Sequence, residues 1–224
     1  TSTAGFVAGG NTSTARQVLS ETWNGTSWTE TGDLNAARSF AGMFGTQTSS
    51  IFAGGDIATG QTAANESWNG SAWTEVADMN TARASLGGAG TQTAALAFNG
   101  GPQANVGGAI YTTESWNGSA WTALSSPSNT NTAAEAEGSS GSQTSAIIFG
   151  GSIYASSGPN ARTELWNGSA WAETTDLNSG RAGLGSGSGG DNTSAIAFGG
   201  TSNTTATEEF TGAGSPLVQT FTDS

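Results

Sequence analysis

Short apolar runs that end in a glycine pair recur along the chain at intervals of about 45 to 50 residues. None of them continues a 3.6-residue period for a useful length, and Gly, Asn or Thr-Gln-Thr bounds each run. Runs of this kind predict strands rather than helices. The runs are GFVAGG, SIFAGG, LAFNGG, IIFGG and IAFGG.

Each repeat contains four segments of this length. The first is small and glycine-rich, the second is the apolar run, the third carries Glu-x-aromatic and the fourth begins at a Trp. Four antiparallel strands in a unit of about 45 to 50 residues are typical of a propeller blade. The sequence therefore predicts an all-β fold, a β-propeller of four-stranded antiparallel blades. One complete copy consists of TARASLGGAG, TQTAALAFNGG, a variable loop, YTTESWNG and SAWTAL.

Five glycine-pair strands and five Glu-x-aromatic strands predict five blades in a single domain. The chain begins at a second strand, so its first blade lacks an inner strand. Three explanations stay open: a five-bladed ring that tolerates the gap, a chain cut from a longer propeller, or a strand supplied by a neighbouring molecule. The segment SPLVQTFTDS is expected to form a fifth outer strand or a closing strand. The blades are expected at approximately 1–35, 36–80, 81–129, 130–178 and 179–224.

All eight tryptophans lie in four copies of a Trp-Asn-Gly motif. Because Asn-Gly supplies the positive φ angles of tight hairpins, the motif predicts the turn between the third and fourth strands. The sequence leaves open whether this turn has two residues or four. We expect the ring pairs to pack where blades meet and to supply most of the buried apolar area. The pairs are Trp23 and Trp28, Trp68 and Trp73, Trp116 and Trp121, and Trp166 and Trp171.

A glutamate stands two residues before the aromatic residue of every third strand. One such residue per blade gives a ring of acids at similar radius, whereas catalysis needs acids that converge on one substrate. We therefore expect a structural role, in which each glutamate pairs with backbone or with Arg38, Arg83 or Arg181 at a blade boundary. The glutamates are Glu21, Glu66, Glu114, Glu164 and Glu208.

The composition narrows the possible functions. The chain has 35 glycines, no cysteine, no histidine, no lysine and a formal charge of −12. Five arginines cannot neutralise a run of phosphates, which argues against nucleic acid and anionic membranes as partners. No apolar run approaches membrane-spanning length, so no membrane insertion is expected. A Ser-His pair is excluded, and no metal or cofactor is expected.

The repeat resembles kelch repeats over nearly the whole chain. The apolar run with Gly-Gly, the downstream aromatic residue and the Trp that opens the fourth strand carry this resemblance. The phrase TELWNGSAW is also similar to kelch-like repeats encoded by marine bacteriophages and environmental bacteria. The resemblance implies a propeller but no single activity. The chain departs from the kelch pattern by having Trp where the third strand usually has Tyr, and it lacks the His and Cys that bind copper in kelch-type oxidases.

The loops between second and third strands vary in sequence from unit to unit, whereas the other segments repeat. Antiparallel order places them on one face, opposite the Trp-Asn-Gly turns, and repeat proteins commonly bind through the face that takes insertions. Exposed tyrosines beside polar groups suit the stacking and hydrogen bonding of sugars. The alternative is that these loops are exposed to solvent and vary in sequence without a binding role. The candidate ligand-binding residues are Tyr111, Tyr154, Asp56, Asn160 and Arg162.

These features together predict a non-catalytic recognition or structural module, displayed on a virion or in an extracellular assembly. Its expected partners are a cell-surface glycan or other subunits of that assembly, including copies of itself. One alternative is a glycoside-acting enzyme that uses the non-repeating acids near the axis. The other is a purely architectural subunit of a ring or filament, since an open strand edge invites a partner. The non-repeating acids are Asp56, Glu135, Glu137 and Asp191.

The turn asparagines also match the Asn-x-Ser/Thr pattern. In an exported chain they would be exposed acceptors for glycans. A chain rich in Asn, Ser and Thr contains many such matches by chance, and turn geometry already explains the presence of these asparagines. The four asparagines are Asn24, Asn69, Asn117 and Asn167.

Overall fold

The computed structural model describes residues 3–101, 110–125, 130–131, 137–153, 158–188, 192–201, 206–212 and 217–219. Within these ranges all regular secondary structure is β-strand, and the prediction of an all-β fold is confirmed there. The strands form five larger sheets and two small hairpins, and their pairing is antiparallel throughout.

Each larger sheet is built from strands in chain order, and a small hairpin lies beside the second and the fourth sheet. The strands of each sheet fall within one of the five predicted segments. The first sheet contains β1 (Gly5–Ala8), β2 (Ser20–Trp23) and β3 (Trp28–Glu30). The second contains β4 (Gly42–Thr46), β5 (Ser49–Ala53), β8 (Asn65–Trp68) and β9 (Trp73–Val76), with the hairpin β6 (Asp56–Ile57) and β7 (Gly60–Gln61).

The remaining three sheets repeat this plan. The third contains β10 (Gly87–Gly90), β11 (Ala95–Phe98), β12 (Thr113–Trp116) and β13 (Trp121–Ala123). The fourth contains β14 (Gly138–Ser142), β15 (Ser145–Phe149), β18 (Thr163–Trp166) and β19 (Trp171–Glu173), with the hairpin β16 (Ser152–Ile153) and β17 (Gly158–Pro159). The fifth contains β20 (Gly185–Ser188), β21 (Ser194–Phe198), β22 (Thr207–Thr211) and β23 (Leu217–Gln219).

Consecutive sheets lie side by side through their first strands, which we call inner strands. Strand β4 contacts β10, β10 contacts β14 and β14 contacts β20. Within the described ranges the first sheet has no inner strand, and β1 holds the register of a second strand. Gly5 faces Trp23 in the first sheet as Ser50 faces Trp68 in the second.

Each sheet has two distinct ends, which we call the loop end and the turn end. At the loop end, second strands finish and third strands begin. At the turn end, third strands lead to fourth strands, and in the first four sheets a Trp-Asn-Gly turn joins them. The predicted ligand-binding loops and the turns therefore lie at opposite ends of the sheets.

The apolar core consists of four clusters, and each cluster joins two consecutive sheets. The ring of Phe6 stacks on Trp68 and Trp73 of the second sheet at centroid distances of 5.2 and 5.7 Å. The ring of Phe98 meets Trp171 of the fourth sheet edge-on at 4.7 Å. Six of the eight tryptophans are nearly fully buried, whereas Trp28 of the first sheet is 48% exposed. The indole pairs thus hold neighbouring sheets together.

The Trp-Asn-Gly turn has four residues, because Trp68 directly faces Trp73 across β8 and β9. Only its glycine is left-handed, with φ of 95° at Gly70, so the expectation that Asn also takes positive φ is wrong. The side chain of Asn69 instead accepts hydrogen bonds from the backbone N–H groups of Ser71 and Ala72, each at 3.0 Å. The asparagine stabilises a four-residue loop as an Asx turn.

Candidate functional site

The repeated glutamates form buried ion pairs with arginines and accept hydrogen bonds from asparagines. We call this arrangement the cap. In the third sheet, Oε1 of Glu114 accepts a hydrogen bond from Nη2 of Arg83 at 2.7 Å. Its Oε2 accepts from the backbone N and the Nδ2 of Asn80, at 2.7 and 2.9 Å. Glu114 and Arg83 are both 0% exposed. Desolvation lowers the pKa of Arg83, and the charge of Glu114 opposes this shift.

The same cap recurs in other sheets. Arg38 pairs with Glu66 at 2.5 Å, and Arg181 pairs with Glu208. Burial likewise lowers the pKa of Arg38, and Glu66 opposes that shift. In each case the Arg and Asn belong to the segment that leads into the inner strand of the glutamate's own sheet. These acids therefore stabilise the fold.

Two sheets depart from this arrangement. Glu164 of the fourth sheet is capped by the backbone N and Nδ2 of Asn131, each at 2.9 Å. The sequence has Ala134 where the other capped sheets have Arg, and that residue lies outside the described ranges. Glu21 of the first sheet is exposed, whereas the other four glutamates are at most 3% exposed.

A glutamine latch connects the second, third and fourth sheets each to the sheet before it. Nε2 of Gln92 donates to the carbonyl of Trp68 at 2.5 Å and to Oγ of Ser67 at 2.8 Å. The carbonyl of Gln92 in turn accepts from Nε1 of Trp116 at 2.8 Å. Gln47 and Gln143 make the corresponding bonds. Sequence reasoning used Thr-Gln-Thr only as a strand boundary, although its recurrence could have identified the latch.

Two of the predicted ligand-binding residues are buried and already bonded. Asp56 is 5% exposed and forms an ion pair with Arg16 of the first sheet at 2.5 Å. Asn160 is 8% exposed and its Nδ2 donates to the carbonyls of Gly150 and Gly151, while its Oδ1 accepts from the backbone N of Arg162. Both side chains are therefore placed to brace the loop end.

The other candidates differ in position. Tyr111 is 47% exposed at the loop end of the third sheet. Its backbone carbonyl accepts a hydrogen bond from the backbone N of Thr130 at 3.0 Å, which fixes the segment. Arg162 lies at the loop end of the fourth sheet, 3.5 Å from Glu173, and both side chains are more than half exposed. Tyr154 lies outside the described residues.

Phe40 is an exposed aromatic residue that sequence reasoning missed. It is 50% exposed at the loop end of the second sheet, and its φ is 56°. A bulky residue at positive φ is a backbone outlier, and such strain concentrates at functional sites. Neighbouring bonds hold it, since Ser39 pairs with Asp56 and the carbonyl of Phe40 accepts from the N–H of Ser85 at 2.7 Å. The sequence gives little indication of this residue, because the same position in two other repeats holds Ser85 and Gly183.

The candidate axial acids do not converge in the described part of the chain. A void of about 320 Å³ lies between inner strands β4, β10 and β14, and Gly, Ala, Ser and apolar side chains line it. The carboxylate of Glu137 instead lies beside Gly87, where its charge opposes the lowering of the Arg83 pKa by burial. Glu135 and Asp191 lie outside the described ranges. No group of three His, Cys, Asp or Glu residues suited to a metal is found among the described residues.

The turn asparagines are exposed at the turn end, where glycans could reach them. Each uses its Oδ1 to accept the N–H groups of the two residues after the glycine, as Asn117 does from Ser119 and Ala120 at 2.9 Å. The geometry accounts for these residues as turn formers, and their modification stays a prediction.

No protein-family model and no curated protein matches this chain. Among the described residues, no helix has the length and apolarity that crossing a bilayer requires.

Proposed function

We propose that the chain is a non-catalytic recognition module, a kelch-like propeller whose five sheets are its blades. It binds carbohydrate at the loop end and is displayed on a virion or in an extracellular assembly. The side-by-side inner strands and the clusters between consecutive sheets support the propeller. The resemblance of the repeats to kelch-like phage sequences supports the setting.

The contrast in exposure between repeated and non-repeated residues carries this proposal. The repeated Glu and Trp residues of the second, third and fourth sheets are buried in contacts within and between sheets. At the loop end, Tyr111 and Phe40 instead present about half of their surface to solvent. Aromatic faces and the charged pair of Arg162 and Glu173 at the same end of the sheets suit a sugar, whose apolar ring face stacks while its hydroxyls form hydrogen bonds.

A glycan array with the purified chain tests carbohydrate recognition. We expect binding to at least one glycan class, and Tyr111→Ala should weaken it about tenfold, since a lost aromatic contact is worth on the order of 1.4 kcal/mol. Thr122→Ala, an exposed change in the same sheet, is the matched control and should leave binding unchanged. Absence of binding to every glycan, or equal binding by the Tyr111→Ala chain, would contradict the proposal.

An architectural role is the second candidate, and the two ends of the sheet series favour it. Trp28 in the first sheet is 48% exposed, and Phe198 in the fifth is 46% exposed. Copies joined through these sheets would cover both rings. Light scattering should then show regular assemblies that Trp28→Ser disrupts, and a monomer at all concentrations would exclude this role.

A further inference from the structure

Among the described residues, no strand lies on the edge of the first sheet where every other sheet has an inner strand. In the second sheet, β5 pairs with β4 on one side and β8 on the other. Strand β1 pairs with β2, and no other strand within the described ranges pairs with its second edge. Val7 in β1 is 47% exposed, while Phe52 at the same register position in β5 is 3% exposed.

A cavity lies beside this edge. Its volume is about 500 Å³, and it is lined by Ala4, Gly5 and Phe6 on one side and by Met43, Gly45 and Ser50 of the second sheet on the other. Since inner strands of consecutive sheets contact one another, an inner strand of the first sheet would lie in this cavity, between β1 and β4. We call it the inner-strand slot.

Glu21 supplies the second half of the site. In the second, third and fifth sheets, the segment before the inner strand brings an Asn and an Arg to the equivalent glutamate. The Arg stands three residues after the Asn and four residues before the inner strand, as in Asn80, Arg83 and Gly87. Glu21 is exposed and carries negative charge in a chain of net charge −12.

We infer that the first sheet is the docking site for a donor strand of one definite sequence pattern. The donor has the pattern Asn-x-x-Arg followed, four residues after the Arg, by a glycine-rich strand. Its strand pairs antiparallel with β1 in the inner-strand slot, which is the β-augmentation mode of peptide recognition. Its Arg and Asn bind the carboxylate of Glu21.

A second copy of the chain is a poor donor. Its four inner strands, β4, β10, β14 and β20, are each paired with the second strand of their own sheet. Donating one would open the sheet that loses it. The donor is therefore a segment of this pattern that lies outside residues 1–224.

A peptide with the sequence of residues 33–46, DLNAARSFAGMFGT, is a direct probe of the slot. Titrated into the full chain by calorimetry, it should bind, and Glu21→Ala in the chain or Arg38→Ala in the peptide should each weaken binding about tenfold or more. The Tyr111→Ala chain should bind the peptide normally, which separates this site from carbohydrate binding. Lack of binding at peptide concentrations up to about 1 mM, or binding that neither Glu21→Ala nor Arg38→Ala weakens, would overturn the inference.

A fusion of the donor segment to the chain is a second test, and it does not depend on the solubility of the peptide. Thr1-Ser2-Thr3 corresponds in sequence to Thr46-Gln47-Thr48, so residues 33–45 placed directly before Thr1 supply the donor in the natural register. This fusion should raise Tm by about 5 °C, and the same fusion with Ala in place of its added Arg should lose most of that rise. Equal Tm values for the fusion and the original chain would also overturn the inference.

Discussion

The first and third sheets have nearly the same sequence pattern but different surroundings. In the third, Glu114 is 0% exposed, Trp121 is 6% exposed, and β11 has a strand on each side. In the first, Glu21 is exposed, Trp28 is 48% exposed, and β1 has one paired edge within the described ranges. The difference teaches that the third and fourth strands of a sheet do not bury their own Glu and Trp. The segment leading into the sheet and the preceding sheet bury them.

The largest difference is expected when the repeated glutamate is removed from each sheet. Glu114→Ala leaves Arg83 buried without its carboxylate, which should cost about 3–5 kcal/mol of the free energy of unfolding. Glu21→Ala changes an exposed residue and should stay within about 0.5 kcal/mol. Urea denaturation followed by circular dichroism measures both. Equal costs would break the comparison.

The fourth-strand tryptophan should give a smaller difference of the same kind. Nε1 of Trp73 donates to Oγ of the buried Ser20 at 3.0 Å. Trp73→Phe removes this bond and part of the ring volume, so we expect a loss of about 2 kcal/mol. Trp28→Phe should cost less than about 0.5 kcal/mol, because its ring is half in solvent. A loss at Trp28 as large as at Trp73 would show that the first sheet is covered.

The glutamine latch should show no difference between the two sheets. Gln47 holds the carbonyl of Trp23 at 2.8 Å and Gln92 holds that of Trp68 at 2.5 Å. Gln47→Ala and Gln92→Ala should therefore each cost about 1–2 kcal/mol in the same denaturation assay. Similar values would show that the first sheet is held against the second as firmly as the second is held against the third. A negligible effect of Gln47→Ala would mean that the contact between the first and second sheets is loose.

The smallest effect is expected at the loop end, and its sign is opposite. Phe40 has φ of 56°, and Gly183 has φ of 65° at the same place before the fifth sheet. Phe40→Gly relieves the left-handed backbone, and we expect a gain of about 0.5–1 kcal/mol. Ser85→Gly, at φ of 52°, is the matched control with less side chain to lose. A loss above about 1 kcal/mol would show that the Phe40 ring contributes packing that its exposure conceals.

The repeat made the sheets predictable from sequence. Strand order, the place of the Trp pairs and the pairing of Glu66 and Glu114 with arginines follow from side chains that recur in register. The turn length was not predictable, because Asn-Gly suits both two-residue and longer hairpins. Only the register of Trp68 against Trp73 decides it.

The candidate site was less predictable than the sheets. Asp56 and Asn160 have the chemistry of ligand-binding residues, yet their bonds are to Arg16 and to loop backbone. Partners that are distant in sequence decide whether a polar side chain is available, and no periodicity reports them. The exposure of Phe40 has the same cause, because its position is set by the backbone pairing of Ser39 with Asp56.

Backbone hydrogen exchange tests most directly the claim that each sheet is closed by the segment leading into it, and that the first sheet is open. Amides of β11 lie in a strand paired on both sides, whereas those at the free edge of β1 face the inner-strand slot. We predict that the edge amides of β1 exchange about 100-fold or more faster than those of β11. Equal protection of β1 and β11 in the isolated chain would contradict the account.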